Sequence, residues 1–230
     1  MKYIYAISDL HIGDGSDRDN FKSKVDLFKM TLKDLPNGRI VLVGDVFDIW
    51  AYDEDKIIKE YYWLIRQLGY MNAVFVTGNH DCKLLSKDSK IRKLIYDYGG
   101  KVCEYYIYKN ILFLHGHQFD IYNSIYHNIG EFATKLAGTL GKIDPDIEDY
   151  LYNLRHYTGF VYGRHHKDND KSRQMAISLV KNIMICKNDI DIVVVGHTHR
   201  SEDTMVDGIN YINTGSYTYS GDSWVGIAID

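Results

Sequence analysis

Cysteine is scarce in this chain: Cys82, Cys103 and Cys186 are the only three among 230 residues, with no CxxC spacing. A disulfide framework is excluded, and the thiols read as unpaired, in a reducing compartment. Long apolar runs are missing as well. No stretch approaches the roughly 18 to 20 residues that span a bilayer, so no transmembrane segment is expected. The N-terminus passes straight into a strand-like run, Lys2-Tyr-Ile-Tyr-Ala-Ile7, with no signal-peptide pattern, and a cytoplasmic protein is expected. Basic charge is not in excess either. A net charge of -4 argues against a stable nucleic-acid complex, local basic patches aside. Prolines number two and tyrosines twenty, and no function follows from either count. No internal repeat or low-complexity segment breaks the chain, and its length suits a single α/β domain over 1–230 with a full core.

What is present is concentrated in short polar clusters. In order they are Asp9/His11, Gly44/Asp45, Gly78-Asn-His-Asp81, His115-Gly-His117 and Gly196-His-Thr-His199. Each offers oxygen or imidazole ligands, and four of the five follow a short apolar run that reads as a buried strand. Ligands delivered from strand ends are what a hydrolytic centre with two metal ions requires.

The pattern alternates along the chain. Strands are expected at 3–7, 39–43 and 73–77, with amphipathic helices at 21–35, 55–68 and 86–98 between and after them. Segments 102–108 and 111–114 read as a hairpin, 190–195 as a buried strand, and 204–206 with 209–212 as a hairpin turning at Asp207-Gly208. Segment 224–229 is a last strand. Between Asp120 and Asn188 there is no strand signal, only helical pattern. That length is too great for a connection, so a helical cap insertion over about 121–188 is expected near the mouth of the site.

Spacing suggests the chemistry. In a strand, residues i and i+2 point the same way, so Asp9 and His11 can grip one ion together, and the same spacing recurs at His197 and His199. Gly196 is read as the residue that lets the backbone turn after Val195. Two divalent ions about 3.5 to 4 Å apart need a shared anionic ligand, and Asp45 is well placed to be it. Asn79 offers a carbonyl oxygen and His115 another imidazole. Nitrogen and oxygen ligands without thiolate suit two divalent ions, Mn²⁺ foremost and Fe or Zn²⁺ as alternatives, rather than Mg²⁺ or Ca²⁺. A water whose pKa falls towards about 7 would be the nucleophile. His80 fits a general acid for the leaving oxygen, with Asp81 orienting its imidazole.

These residues resemble the calcineurin-like metallophosphoesterases. The family pattern stands here as Asp9-Leu-His11, Gly44-Asp-Val-Phe-Asp48, Gly78-Asn-His-Asp81, His115 and Gly196-His-Thr-His199. The resemblance implies a four-layer α/β/β/α sandwich. It also implies Asp9, His11, Asp45 and His199 around one ion and Asp45, Asn79, His115 and His197 around the other, with Asp48 supporting a loop or a histidine. Within the superfamily, Gly44-Asp-Val-Phe-Asp-Ile-Trp50, the His-Gly block before a helical insertion and Asn213-Thr-Gly-Ser216 look like the UDP-2,3-diacylglucosamine hydrolases. Those enzymes carry Gly-Asn-Arg-Asp and His-Gly-Asp where this chain has His80 and His117. An Arg clamps a diphosphate but donates protons poorly, so the departure favours a broader phosphoesterase.

The expected substrate is a small phosphorylated or nucleotide-linked molecule, lipid-linked under the diacylglucosamine reading. Asn79, Arg164 and Arg173 are candidate substrate contacts, the two arginines as part of a phosphate-capturing rim over 155–173; the competing reading is a solvated helical face. His117 either supports His115 or faces solvent. Trp50 either packs in the core or stacks on a base or sugar. His127, His156, His165 and His166 read as ordinary polar positions. Three other functions remain: a nuclease, a Ser/Thr protein phosphatase, and a non-catalytic scaffold that keeps the metal-site fold for partner binding.

Overall fold

Short runs of β-branched and aliphatic residues buried on both faces form parallel strands when helices can cover them. The chain has three such runs in its first half, β1 (Lys2–Ile7), β2 (Gly38–Val43) and β3 (Val74–Val76), and a short edge strand, β4 (Lys101–Cys103), of which only Val102 is buried. They pair in parallel, with α1 (Val25–Asp34), α2 (Glu54–Tyr70) and α3 (Lys90–Asp97) in the three crossovers. The computed structural model describes residues 2–35, 37–117, 173–174, 176–177, 190–219 and 223–229.

A second sheet is built from β5 (Tyr105–Tyr108), β6 (Ile111–Leu114), β7 (Ile192–Val195), β8 (Ser201–Val206) and β9 (Ile209–Thr214). Its order is β5-β6-β7-β9-β8, and β6, β7 and β9 run parallel. The last strand, β10 (Trp224–Ile229), returns to pair antiparallel with β1 in the first sheet. The expected strand over 102–108 is therefore two strands in different sheets. The chain passes between the sheets at Glu104, a change that local alternation cannot signal.

Apolar side chains from both sheets meet between them: Ile4, Ala6, Val41, Val43 and Val76 face Ile111, Phe113, Val194 and Ile212. Each such residue contributes about 1.5–3 kcal/mol when fully buried. The other face of the first sheet packs on the three helices through Ile7, Leu42, Phe75, Phe28, Leu64 and Ile91. On the far face of the second sheet, Val193, Val195 and Tyr211 bury against Ala176 and Ile177. Helix, sheet, sheet and this last contact follow the expected α/β/β/α order. The expected cap insertion lies outside the described residues, apart from helical residues at 173, 174, 176 and 177. No described helix is long and apolar enough to cross a membrane.

Two helix starts differ from the sequence reading. Residues 20–24 form a 3₁₀ turn before α1, capped by the Asp19 carboxylate, which accepts from Phe21 N (3.0 Å). Helix α3 begins at Lys90 rather than Ser86, where Ser89 Oγ accepts from Arg92 N (3.1 Å) as its N-cap. Asp19 also accepts from Gly15 N (2.9 Å) and from the Tyr61 hydroxyl (2.6 Å). It thus fastens the loop after β1 to α2, which steadies the segment carrying Asp9 and His11. In the β8–β9 hairpin, Asp207 (φ 52°) and Gly208 (φ 84°) take the left-handed turn expected of them.

Candidate metal centre

All five polar clusters sit at the carboxyl ends of parallel strands, where open α/β sheets place ligands. Asp9 and His11 follow β1, Asp45 follows β2, Asn79 to Asp81 follow β3, His115 follows β6, and His197 and His199 follow β7. The two sheets bring their carboxyl ends together, so residues far apart in sequence converge.

The backbone there is not extended. Asp9 (φ 55°), His11 (φ 47°), Asp45 (φ 49°), His197 (φ 70°) and His199 (φ 57°) all lie in the left-handed region. Such residues cost of order 1–3 kcal/mol each and persist where the surroundings over-determine them. Strand alternation therefore does not bring Asp9 and His11 together, as the sequence suggested; consecutive left-handed turns do. The strain is held by paired backbone: Asp9 N donates to Gly44 O (3.1 Å), and His11 N to Asp45 O (3.0 Å).

Three glycines let ligands approach the chain. A Cβ on Gly44, itself at φ 85°, would sit 2.3 Å from the His115 ring. One on Gly196 would lie 2.5 Å from Ser8 Oγ and 2.6 Å from Asp9 Oδ2, so Gly196 serves close approach rather than the turn expected of it. One on Gly78 would lie 2.1 Å from Asp45 Oδ1 and 2.6 Å from Asp45 N. Gly78→Ala is accordingly expected to push Asp45 out of place, destabilising the fold by about 1–3 kcal/mol and weakening metal binding. Thermal unfolding together with metal titration checks this; an alanine variant with unchanged metal affinity would remove the close-approach argument.

The side chains form two groups, linked where Asp45 of one also meets His11 of the other. Asp9, His11 and His199 converge in one, Asp45, His115 and His197 in the other, while Asp45 also meets His11 and His80. His199 Nε2 is 3.1 Å from Asp9 Oδ1 and 3.5 Å from His11 Nε2. His115 Nε2 is 3.1 Å from Asp45 Oδ2, while its Nδ1–H donates to Val43 O (2.9 Å) and so aims Nε2 inward. Asp9 Oδ2 is satisfied by Ser8 Oγ and by His197 N (3.1 Å), which leaves Oδ1 for the centre. Asp45 Oδ1 accepts from His80 N (2.9 Å).

The residues fit a divalent cation. Asp9 Oδ1, Asn79 Oδ1 and His115 Nε2 are buried and make no hydrogen bond among the described residues, although two of them lie 3.1 Å from oppositely charged or chargeable atoms. Buried polar atoms are nearly always hydrogen-bonded, so inward-facing exceptions call for a bound ion or water. The electrostatics agree. Burial favours neutral Asp9 and Asp45, but the surrounding imidazoles outweigh it: His199 and His115 hold Asp9 below its ordinary range, and His115 and His80 hold Asp45 well below. Burial would lower His115, yet the Asp45 carboxylate pushes it up to about 10, so the pocket favours positive charge between them. His11, buried and beside His80, is lowered to about 4 and stays neutral for ligation.

One role departs from expectation. Asp81 does not orient His80. Its carboxylate turns back to accept from Gly78 N (2.7 Å), Val46 N (2.8 Å) and Phe47 N (3.3 Å), tying the third cluster to the second. Burial and the Asp45 charge push its carboxyl up to about 7. His80 is oriented by Asp48, whose Oδ1 accepts from Nδ1–H at 2.9 Å, and its ring is stacked on Trp50 (centroids 4.3 Å, 28°). Trp50, 7% exposed, is thus packed against His80 rather than open to a base. His117 lies beside His115 and His197 (ring centroids 5.6 and 6.4 Å). Arg173 is ion-paired with Glu202 of β8. Arg164 and His127, His156, His165 and His166 lie outside the described residues.

At the end of β9 the Asn213-Thr-Gly-Ser216 stretch, noted in the sequence only as a family likeness, supports the loop after β1. Thr214 Oγ1 is 2.6 Å from Ser8 Oγ, while Ser216 Oγ and Thr218 Oγ1 donate to the carbonyls of Asp9 (3.2 Å) and Leu10 (2.5 Å). The sequence signal for this support was the hydroxyls of Thr214, Ser216 and Thr218 at alternate positions.

Comparison with known proteins adds the following. Residues 2–201 match the model of the family described as calcineurin-like phosphoesterase. No curated protein matches the sequence. Among solved structures, a single-mutant Vps29 from Entamoeba histolytica is 18% identical, with 99% of this chain and 86% of that one covered at a TM-score of 0.47. A conserved uncharacterized protein from Streptococcus pneumoniae, a predicted phosphoesterase, is 12% identical (98% and 83% covered, TM-score 0.40). A novel archaeal phosphodiesterase is 14% identical (99% and 99%, TM-score 0.42). Likenesses at these identities and TM-scores carry no argument about activity.

Proposed function

The chain belongs to the calcineurin-like phosphoesterase family, and from that premise we propose that it hydrolyses a phosphoester or diphosphate bond at a centre of two divalent ions, Mn²⁺ foremost. The observation that carries this reading is the carboxylate of Asp45, which converges with His115 and His197 on one side and with His11 and His80 on the other. Asp9, His11 and His199 would hold one ion, Asn79, His115 and His197 the other, and Asp45 both. When bound, such a pair supplies Lewis acidity for the phosphoryl oxygens and a nucleophilic water at neutral pH.

The chain's own groups supply the rest. Asp48 holds the Nδ1–H of His80 (2.9 Å), which leaves Nε2 to carry the proton for the departing oxygen. Trp50 stacked on that ring fixes its plane. Asp81 holds the Asn79 and Asp45 segments in register through three backbone amides. The substrate is a small phosphorylated or nucleotide-linked molecule in the cytoplasm, with a UDP-diacylglucosamine-type diphosphate among the candidates. Arg173, ion-paired with Glu202, would need to exchange that partner to reach a phosphate.

The test is hydrolysis by Mn²⁺-reconstituted protein of a p-nitrophenyl monoester, bis-p-nitrophenyl phosphate, a UDP-sugar lipid diphosphate and single-stranded DNA, with bound metal counted in parallel. Turnover of the UDP-lipid alone is the outcome expected of a diacylglucosamine hydrolase. Turnover of the small esters without it marks a general phosphoesterase, and cleavage of DNA a nuclease. Two ions bound with no turnover of any substrate would overturn the catalytic reading in favour of a scaffold.

A further inference from the structure

The segment after β9 carries Tyr219, a residue outside the five clusters. Its ring lies nearly parallel to the His199 imidazole (centroids 5.1 Å, 20°) and edge-on to His11 (5.7 Å, 60°). Asn20 Nδ2 donates to the Tyr219 hydroxyl at 3.2 Å, which links the ring to the loop after β1. Both imidazoles belong to the same proposed ligand set.

The two sets are supported differently. The His115 side chain is fully buried, and the hydrogen bond from its Nδ1–H to Val43 O fixes the ring. The His199 side chain is 36% exposed and sits on the rim, on a residue held at φ 57°. A half-exposed imidazole gains rotamer freedom unless something packs against it, and freezing that freedom on binding costs affinity. Asp9 and His11 hold its inner edge, and the flat face of Tyr219 packs against its plane. Tyr219 is itself 49% exposed, so its other contacts do not bury it in the core.

We infer that Tyr219 is a positioning residue for His199, and that its ring sets the affinity of the cation position served by Asp9, His11 and His199. The inference rests on the two-cation reading above. It adds that the two positions are tuned separately, one by a buried hydrogen bond and the other by a stacked ring at the mouth.

The experiment is calorimetric titration of Mn²⁺ into the metal-free full-length protein, comparing wild type with Tyr219→Ala, Tyr219→Phe and Asn79→Ala. Wild type is expected to take two ions. Tyr219→Ala should weaken one step by about tenfold, the loss typical when a group orienting a metal-bound histidine is removed, and leave the other within about twofold. Tyr219→Phe, which keeps the ring, should behave as wild type. Asn79→Ala should weaken the opposite step, and Tyr219→Ala combined with Asn79→Ala should weaken both. If circular dichroism shows that Tyr219→Ala does not fold, Tyr219→Leu, which keeps bulk without a flat ring, takes its place. Three results overturn the inference: no change in either step for Tyr219→Ala, an equal change in both, or a loss in Tyr219→Phe as large as in Tyr219→Ala. Fewer than two ions on wild type would instead overturn the two-cation premise, and the inference with it.

Discussion

Replacing Asp45 with Asn is expected to lower kcat by about 10³-fold, several kcal/mol at about 1.4 kcal/mol per tenfold. The protein should also retain fewer than two ions. The side chains have nearly the same shape, and Asn can still accept from His80 N, the bond that Asp45 Oδ1 now makes at 2.9 Å. What changes is charge. Asp45 is buried and held well below the ordinary carboxylate range, so it is a full anion at every working pH. It faces His115 at 3.1 Å on one side and joins His11 and His80 on the other. Two divalent ions at close separation repel, and a neutral amide does not offset that repulsion. Metal content measured beside steady-state kinetics decides the matter, since a variant with two ions and normal turnover would take the bridging role away from Asp45.

The second large effect concerns His80 and depends on the leaving group. A positioned general acid contributes about 10²–10⁴-fold, but only where the departing oxygen needs a proton. His80→Ala is therefore expected to slow hydrolysis of an alkyl phosphate by about 10²-fold or more and that of a p-nitrophenyl ester far less, because nitrophenolate leaves without help. Asp48→Asn should reproduce a weaker form of the same selectivity: its amide can still meet His80 Nδ1, now 2.9 Å from Asp48 Oδ1, but no longer stabilises an imidazolium. The comparison isolates proton donation, since loss of fold or of metal would slow both substrates alike. Equal slowing of both would show that His80 supports the site and does not supply the proton.

Much of the centre was readable because its chemistry demands particular residue types at fixed intervals. Asp9 with His11 announces a chelating pair by spacing, and apolar runs place it and the two later histidines at strand ends; those histidines then part, His199 joining Asp9 and His11, and His197 joining Asp45 and His115. The division into two ligand sets sharing Asp45 came from family resemblance; in the structure Asp9, His11 and His199 converge, as do Asp45, His115 and His197, and Asp45 also meets His11 and His80. The role given to Asp81 was wrong for a local reason. Proximity in sequence to His80 suggested a partnership, whereas the turn after β3 sends the Asp81 carboxylate towards the amides of Gly78, Val46 and Phe47. Its place beside His80 is taken by Asp48, which stands thirty-two positions away in sequence.

By itself, the sequence determined the alternating α/β order, the carboxylate and imidazole donors, and their delivery from strand ends, because these depend on periodicity and on residue chemistry within a few positions. Only the tertiary structure decided how the donors meet. The crossing at Glu104 assigns β4 and β5 to different sheets, left-handed turns at Asp9, His11, Asp45, His197 and His199 aim the donors, and Tyr219, beyond the β8–β9 hairpin, lies on His199 and edge-on to the distant His11. Such features arise where two sheets close on each other and strain in one loop is held by hydrogen bonds from another. No local pattern encodes them, since each is stabilised by contacts made only after the chain has folded.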